Sequence, residues 1–182
     1  MELVNLNQQY LPYAGIGSRE TPAEILAIFA SLAAWLARRG YTLRSGHADG
    51  ADSAFESGCA SVNGPAEIYL PWRGFNGSNS ELIWKPGDNS LAYARNYHPA
   101  FDRLSQGAQK LQARNTYQVL GYNLDSPARF IVCWTPGGTA SGGTGQAIRI
   151  ARDRNIPVLD FGRYSTIEDM RTAWSEFFTN LR

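Results

Sequence analysis

Three glycine-rich segments of the sequence combine the residue types that bind phosphate groups. They are residues 15–19 (GIGSR), 45–52 (SGHADGAD) and 135–146 (TPGGTASGGTGQ). Glycine lets the backbone approach a ligand closely and adopt a positive φ, and the free amides at the start of a helix hold anions. Each segment is therefore a candidate phosphate loop.

The third segment has the most specific pattern. Its glycines alternate with hydroxyl side chains, and it ends in a glutamine, so it offers many hydrogen-bond donors to a phosphate. A flexible surface loop is the alternative interpretation. The residues predicted to contact a ligand are Thr135, Gly142, Gly143, Thr144, Gly145 and Gln146.

The first two segments have less specific patterns than the third. The first, GIGSR, is not the full dinucleotide-binding fingerprint. Arg19 could clamp a phosphate, with an ordinary strand-to-helix turn as the alternative. The second segment follows a predicted strand and opens a predicted helix. The ligand-binding candidates in these two segments are Gly15, Gly17, Ser18, Arg19, Ser45, Gly46, Asp49, Gly50 and Asp52.

Asp52 and Glu56 are the carboxylates whose spacing suggests chemistry. Because they are four residues apart, they lie on one face of a predicted helix, where they could bind ribose hydroxyls or act as general acid and base. Both are catalytic candidates. The alternative places Asp52 in a first turn favoured by the helix dipole and leaves Glu56 solvated, and we favour it for Glu56. We interpret His47 as a hydrogen-bonding loop residue rather than a base.

The elements that must position these residues alternate between strands and helices. Strands are predicted over 10–17, 41–45, 66–70, 129–134 and 156–161, and helices over 22–39, 51–60, 91–97, 101–120, 145–154 and 167–181. Such alternation implies right-handed βαβ units. We predict one Rossmann-like domain over residues 1–182: an α/β, doubly wound, mainly parallel sheet with helices on both faces. Ligands of such sheets bind at the carboxyl ends of the strands, so the three segments should share one edge.

Residues 72–90 form a long segment rich in Gly, Asn, Ser and Pro that also carries Trp72, Phe75 and Trp84. Loops of this length are uncommon in compact domains and are often functional. The aromatic rings could stack on single-stranded DNA, cap a purine, or belong to the core. Trp72 and Phe75 are therefore included among the ligand-binding candidates.

The composition narrows the classes of function. Seventeen basic and 16 acidic residues give a net charge of +1, which argues against strong nonspecific binding to nucleic acid. No apolar run approaches the roughly 20 residues that span a bilayer, and residues 1–10 lack the features of a signal peptide. We therefore expect a cytoplasmic protein without a membrane partner.

The cysteines and histidines give no sign of a metal centre. Cys59 and Cys133 are predicted to be small core residues. The sequence has only two histidines, and no Cys/His cluster has the spacing of metal ligands. We therefore predict neither a metal nor a cofactor.

Taken in order, the motifs GIGSR, SGHADGAD and GGTGQ, followed by IPV at 156–158, resemble the SLOG superfamily. This superfamily includes the DprA-like DNA-processing proteins and the LOG nucleoside-monophosphate phosphoribohydrolases. The similarity extends over about residues 13–161. Residues 69–76 (YLPWRGFN), 97–105 (YHPAFDRLS) and 113–121 (ARNTYQVLG) resemble a DprA-like branch common in phages and prophages.

The resemblance implies a nucleotide-type ligand over the three segments. Arg114 and Asn115 match an arginine–asparagine pair found in related proteins. At this position Arg114 could reach a ligand phosphate, and Asn115 could form a hydrogen bond with that phosphate. An exposed pair on a helix is the alternative. LOG enzymes carry a catalytic glutamate where this chain has Gln146, and an amide cannot act as a general acid or base.

We therefore predict a protein that binds a nucleotide or nucleotide-derived molecule, such as an ADP-ribose-like or cyclic nucleotide signal, without turnover. A phage-type homologue of this kind could sequester an immune signal. Two alternatives stay open: a LOG-like N-glycosidic hydrolase that uses Asp52 or Glu56, and a DprA-like protein that binds single-stranded DNA. SLOG relatives are commonly dimers or larger, so a homo-oligomer is expected.

Overall fold

The computed structural model describes residues 10–181. The prediction that the N-terminus lacks a signal peptide concerns residues 1–10, and residues 1–9 lie outside the described range. Among the helices of residues 10–181, none is long and apolar enough to cross a membrane.

The central sheet of the described chain has five strands, all of them parallel. They are β1 (Leu11–Gly15), β2 (Tyr41–Ser45), β3 (Ala66–Ile68), β4 (Ile131–Cys133) and β5 (Val158–Asp160). Their order across the sheet is β3-β2-β1-β4-β5. The strand order therefore reverses between β1 and β4, which is the topological switch point where ligands of such sheets bind.

Helices cover both faces of the sheet, which confirms the predicted Rossmann-like α/β fold. They are α1 (Ala23–Ala37), α2 (Ala51–Ala60), α3 (Ser90–Tyr97), α4 (Gln106–Leu120), α5 (Gly142–Asp153) and α6 (Ile167–Asn180). One core unites α1, α2 and α6 around Tyr13 and Phe130. The other unites α4 and α5 around Ala14 and Ile131, with α3 at its margin.

The division into two cores follows from the geometry of a strand. Successive side chains point to opposite faces, so neighbours such as Tyr13 and Ala14 enter different cores. Because both faces are buried, β4 is wholly apolar, as expected of a central parallel strand. Cys59 and Cys133 are buried, one in each core.

Several element boundaries differ from the prediction. The helix predicted over 101–120 is divided into a short 3-10 turn at Phe101–Arg103 and α4. The division occurs because Ser105 caps α4, with its Oγ accepting the Ala108 amide at 3.3 Å. Helix α5 begins at Gly142, three residues earlier than predicted. Residues 72–90 fold back beside the segment that follows β3, where the Trp84 backbone amide donates to the Leu70 carbonyl at 2.8 Å.

Candidate functional site

A cavity of about 420 Å³ opens beyond the carboxyl ends of β1 and β4, at the switch point. Its walls come from the loop after β1, the start of α2, one face of α4 and the start of α5. Nine of the predicted ligand-binding residues line it together: Gly17, Ser18, Arg19, Asp52, Arg114, Asn115, Gly142, Gly143 and Thr144.

The first turn of α5 presents backbone amides to this cavity. Gly142, Gly143 and Thr144 line it, and the amides of a first helical turn have no intrahelical acceptor. The N-cap residue Ser141 makes no capping hydrogen bond with its side chain. These amides and the positive end of the helix dipole therefore create a place for an anion.

Glycine at position 143 lets α4 approach this turn closely. A Cβ on Gly143 would lie 2.9 Å from Nδ2 of Asn115, and that same Nδ2 donates to the Gly143 carbonyl at 3.4 Å. Asn115 thus fixes the distance between α4 and the first turn of α5.

Arg114 is almost fully buried at 3% exposure, so the alternative of an exposed helix pair is wrong for it. Its Nη1 donates to the carbonyls of Gly46 and Tyr69 and lies 3.8 Å from Oδ2 of Asp52. Burial lowers the pKa of Arg114, and Asp52 opposes that change. Within the described residues its Nε is buried and has no hydrogen-bond partner.

Asp52 lies in the first turn of α2, as predicted, and is 4% exposed. Burial raises its pKa from 3.8 to about 6, although Arg114 acts in the opposite direction. Its nearest backbone donor is the Ala48 amide at 3.4 Å, a long contact for a hydrogen bond. A carboxyl group with this pKa can exchange a proton near neutral pH.

The interpretation of Glu56 as a solvated side chain is wrong. Its carboxylate accepts the backbone amide of His47 at 2.8 Å and faces Nδ1 of the same residue at 2.6 Å. The cause is the positive φ of 56° at His47, which turns both groups of that residue toward α2. His47 is confirmed as a hydrogen-bonding loop residue, and Glu56 does not line the cavity.

Four glycines among the candidates lie outside the cavity lining and have packing roles. A Cβ on Gly15 would lie 2.6 Å from Cγ of Phe55, and one on Gly50 would lie 2.8 Å from Cα of Arg19. A Cβ on Gly46 would clash with the guanidinium of Arg114, and one on Gly145 would clash with the carbonyl oxygen of Ala140. These glycines bring the loops and the first turn of α5 close to their neighbours.

The other candidates also lie outside the lining. Thr135 is buried, with its hydroxyl and amide both bound to Asp160. Gln146 is buried and donates to Oγ1 of Thr116 at 3.3 Å. Ser45 is buried and Asp49 is exposed, while Trp72 and Phe75 lie on the loop after β3.

Part of the site on α4 was not predicted from the sequence. Leu111, Gln112 and Gln118 line the cavity beside the predicted pair. Leu111 and Gln118 stand three residues before and four after Arg114, a spacing that places all three on one helical face. That spacing was the signal that could have identified them.

No group of three or more His, Cys, Asp and Glu residues within 10–181 is arranged to hold a metal ion. The donors around the cavity are mostly amides and guanidinium groups, which bind anions rather than cations.

Comparison with known proteins yields structural neighbours only. No protein-family model matches the chain, and no curated protein matches its sequence. DNA processing protein A from Helicobacter pylori, described for its single-stranded DNA binding mode, is similar with a TM-score of 0.53 and 16% identity. The alignment covers 82% of this chain and 64% of that one. The Moco carrier protein of Chlamydomonas rheinhardtii has a TM-score of 0.52 and 16% identity over 95% and 84% of the two chains. These similarities support the Rossmann-like, DprA-like fold.

Proposed function

We propose that this protein binds a nucleotide or nucleotide-derived small molecule, with a phosphate at the first turn of α5. The observation that carries the proposal is the convergence of that turn with Arg19 and Arg114 on one cavity. Helix-start amides and arginine side chains are among the groups that commonly bind phosphate in proteins.

The size of the cavity also supports a small-molecule ligand. About 420 Å³ lies within the range of roughly 300–1,000 Å³ typical of small-molecule sites. Asp52 lies in the same cavity, where a carboxyl group can hydrogen-bond ribose hydroxyls. A nucleotide places a phosphate and a ribose next to each other, which fits this pairing of donors and acceptor.

The SLOG resemblance supports the same class of ligand and extends the proposal. An ADP-ribose-like or cyclic nucleotide signal would carry the required phosphate, and a protein that retains it without turnover would sequester it. We also propose a homo-oligomer on the same resemblance. Native mass spectrometry of protein purified from a bacterial lysate would identify a retained ligand and the number of subunits.

We expect Gly143→Asp to weaken binding of a phosphate-bearing ligand roughly tenfold or more, as the loss of a hydrogen bond to a charged group would. The new carboxylate would enter the first turn of α5, where it would satisfy the free amides and repel the phosphate. Titration calorimetry with AMP, GMP, CMP, UMP, ADP-ribose and cyclic AMP measures the effect. An oligonucleotide of single-stranded DNA serves as a further titrant.

Thr139→Asp is the matched control for this substitution. Thr139 is exposed in the same loop and does not line the cavity, so the variant adds the same charge without blocking the site. Equal affinities of the wild type and Gly143→Asp would refute the phosphate site. Tight DNA binding with a steep salt dependence would instead favour the DprA-like function.

The second candidate function is hydrolysis of an N-glycosidic bond, and the Asp52 carboxyl group favours it. This group is buried in the cavity and has a pKa of about 6, as suits a general acid or base. The LOG-type glutamate is absent, however, and Gln146 stands in its place outside the cavity lining.

We expect no release of free base when the protein is incubated with the nucleoside monophosphates and NAD-derived nucleotides. Chromatography of the mixture measures the base, and heat denaturation should return intact ligand. Base release that disappears in Asp52→Asn but persists in Asp49→Asn would establish the enzyme instead. Asp49 is a suitable control because it is exposed and does not line the cavity.

A further inference from the structure

We propose that Trp72 provides an aromatic subsite at the mouth of the cavity, on which the base of the nucleotide stacks. The inference rests on the proposed function and narrows it. The ligand would be a molecule with both a phosphate and a planar aromatic group, rather than a sugar phosphate or inorganic phosphate.

Trp72 lies beside the start of α4. A Cβ on Gly107 would lie 3.9 Å from Cζ3 of Trp72, so the indole ring lies against the start of this helix. Gly107, Leu111 and Arg114 are spaced by four and three residues and share one helical face. Leu111 and Arg114 line the cavity. The ring therefore lies about one helical turn, roughly 6 Å along the axis, beyond the cavity lining.

The loop that carries Trp72 is held in place by its neighbours. Phe75 is buried at 6% exposure, with its ring 5.3 Å from that of Trp72 in an edge-on arrangement. The guanidinium of Arg114 lies 5.7 Å from the centre of the Phe75 ring. Asn76 Nδ2 donates to the His47 carbonyl at 2.9 Å. These contacts hold the loop that carries Trp72 in place, while 41% of the accessible surface of Trp72 stays exposed.

This arrangement orders the ligand from one end to the other. The phosphate lies at the first turn of α5, the ribose near Asp52, and the base over Trp72 beside Leu111. An indole face stacks on any base, because every base has a π-face. The subsite therefore favours nucleotides over sugar phosphates without selecting one base strongly.

The test compares AMP with ribose 5-phosphate, which has the same phosphate and sugar but no base. Calorimetric titrations use the wild type, Trp72→Ala and Trp72→Phe. Because stacking on an aromatic side chain contributes substantially to base binding, Trp72→Ala should weaken AMP binding roughly tenfold to a hundredfold. Ribose 5-phosphate should bind Trp72→Ala as it binds the wild type. Trp72→Phe should keep most of the AMP affinity.

Trp84→Phe is the control for loop integrity. Trp84 belongs to the same segment, but its indole Nε1 donates to Ser90 at 3.0 Å and it does not line the cavity. AMP binding should be unchanged in this variant. Thermal unfolding of all variants checks that the exposed ring at position 72 is not needed for folding.

The outcomes separate the two proposals. If the wild type binds ribose 5-phosphate as tightly as AMP, or if Trp72→Ala weakens both equally, the aromatic subsite is refuted and the phosphate site stands. If the wild type binds neither these two probes nor the other nucleotides, the proposed function fails and the subsite fails with it.

Discussion

Replacing Arg114 with alanine should lower the free energy of unfolding by about 3–5 kcal/mol at pH 7, the range for removing one partner of a buried ion pair. The loss arises because the buried carboxylate of Asp52, at 4% exposure, would lose the guanidinium 3.8 Å away that favours its charged form, and would have to stay unpaired or take up a proton. The carbonyls of Gly46 and Tyr69 would also lose their donor. Urea denaturation measures the change, and titration of AMP should show no binding.

Arg149→Ala is the matched control for this prediction. Arg149 also donates to two carbonyls, those of Tyr97 and Ala140, but it forms no ion pair among the described residues. Its loss should therefore cost less than the loss of Arg114. Equal costs at pH 7 would show that the Arg114–Asp52 pair does not stabilise the fold. At pH 5 the cost of Arg114→Ala should shrink, because Asp52 can then take up a proton.

The fold was predictable because the hydrophobic pattern of each segment agrees with the place of that segment in the sheet or in the helical layers. Apolar runs such as residues 129–134 alternate with amphipathic segments, and this alternation leads to a parallel sheet. The boundaries were less predictable, as α5 shows. The glycine-rich run over 135–144 is typical of a loop, so the pattern placed Gly142 and Gly143 in the loop and the start of the helix at Gly145. Packing against α4 extends the helix to the two glycines, and this extension is what brings their amides to the cavity.

The site was predictable from the local pattern where one loop forms it and not where distant segments meet. Gly142 to Thr144 could be identified from their own segment. On α4, the resemblance rather than the local pattern identified Arg114. Once Arg114 is placed at the cavity, the spacing of Leu111 and Gln118 around it identifies that wall of the site. Glu56 was misinterpreted for a different reason. Its partner His47 adopts a positive φ, which is uncommon for a non-glycine residue.

The pH dependence of stability should reveal the buried carboxyl group of Asp52. Its pKa rises from 3.8 in the unfolded chain to about 6 in the fold, because of burial. Between these values the folded state holds more protons than the unfolded state. Its contribution to stability is therefore complete below about pH 4 and is lost as the pH rises through about 6. A shift of this size corresponds to about 3 kcal/mol.

The comparison with Asp52→Asn isolates this contribution, since the other titrating groups are common to both proteins and cancel. The free energy of unfolding of the wild type, minus that of the variant, should fall by about 2.5 kcal/mol between pH 4 and pH 7. The same difference for Asp49→Asn should stay nearly constant, because Asp49 is exposed. A difference for Asp52 that stays constant or grows with pH would mean that Arg114 outweighs burial. The carboxylate would then be a permanent anion beside the phosphate site, where it would accept hydrogen bonds from ribose but could not donate a proton to a departing base.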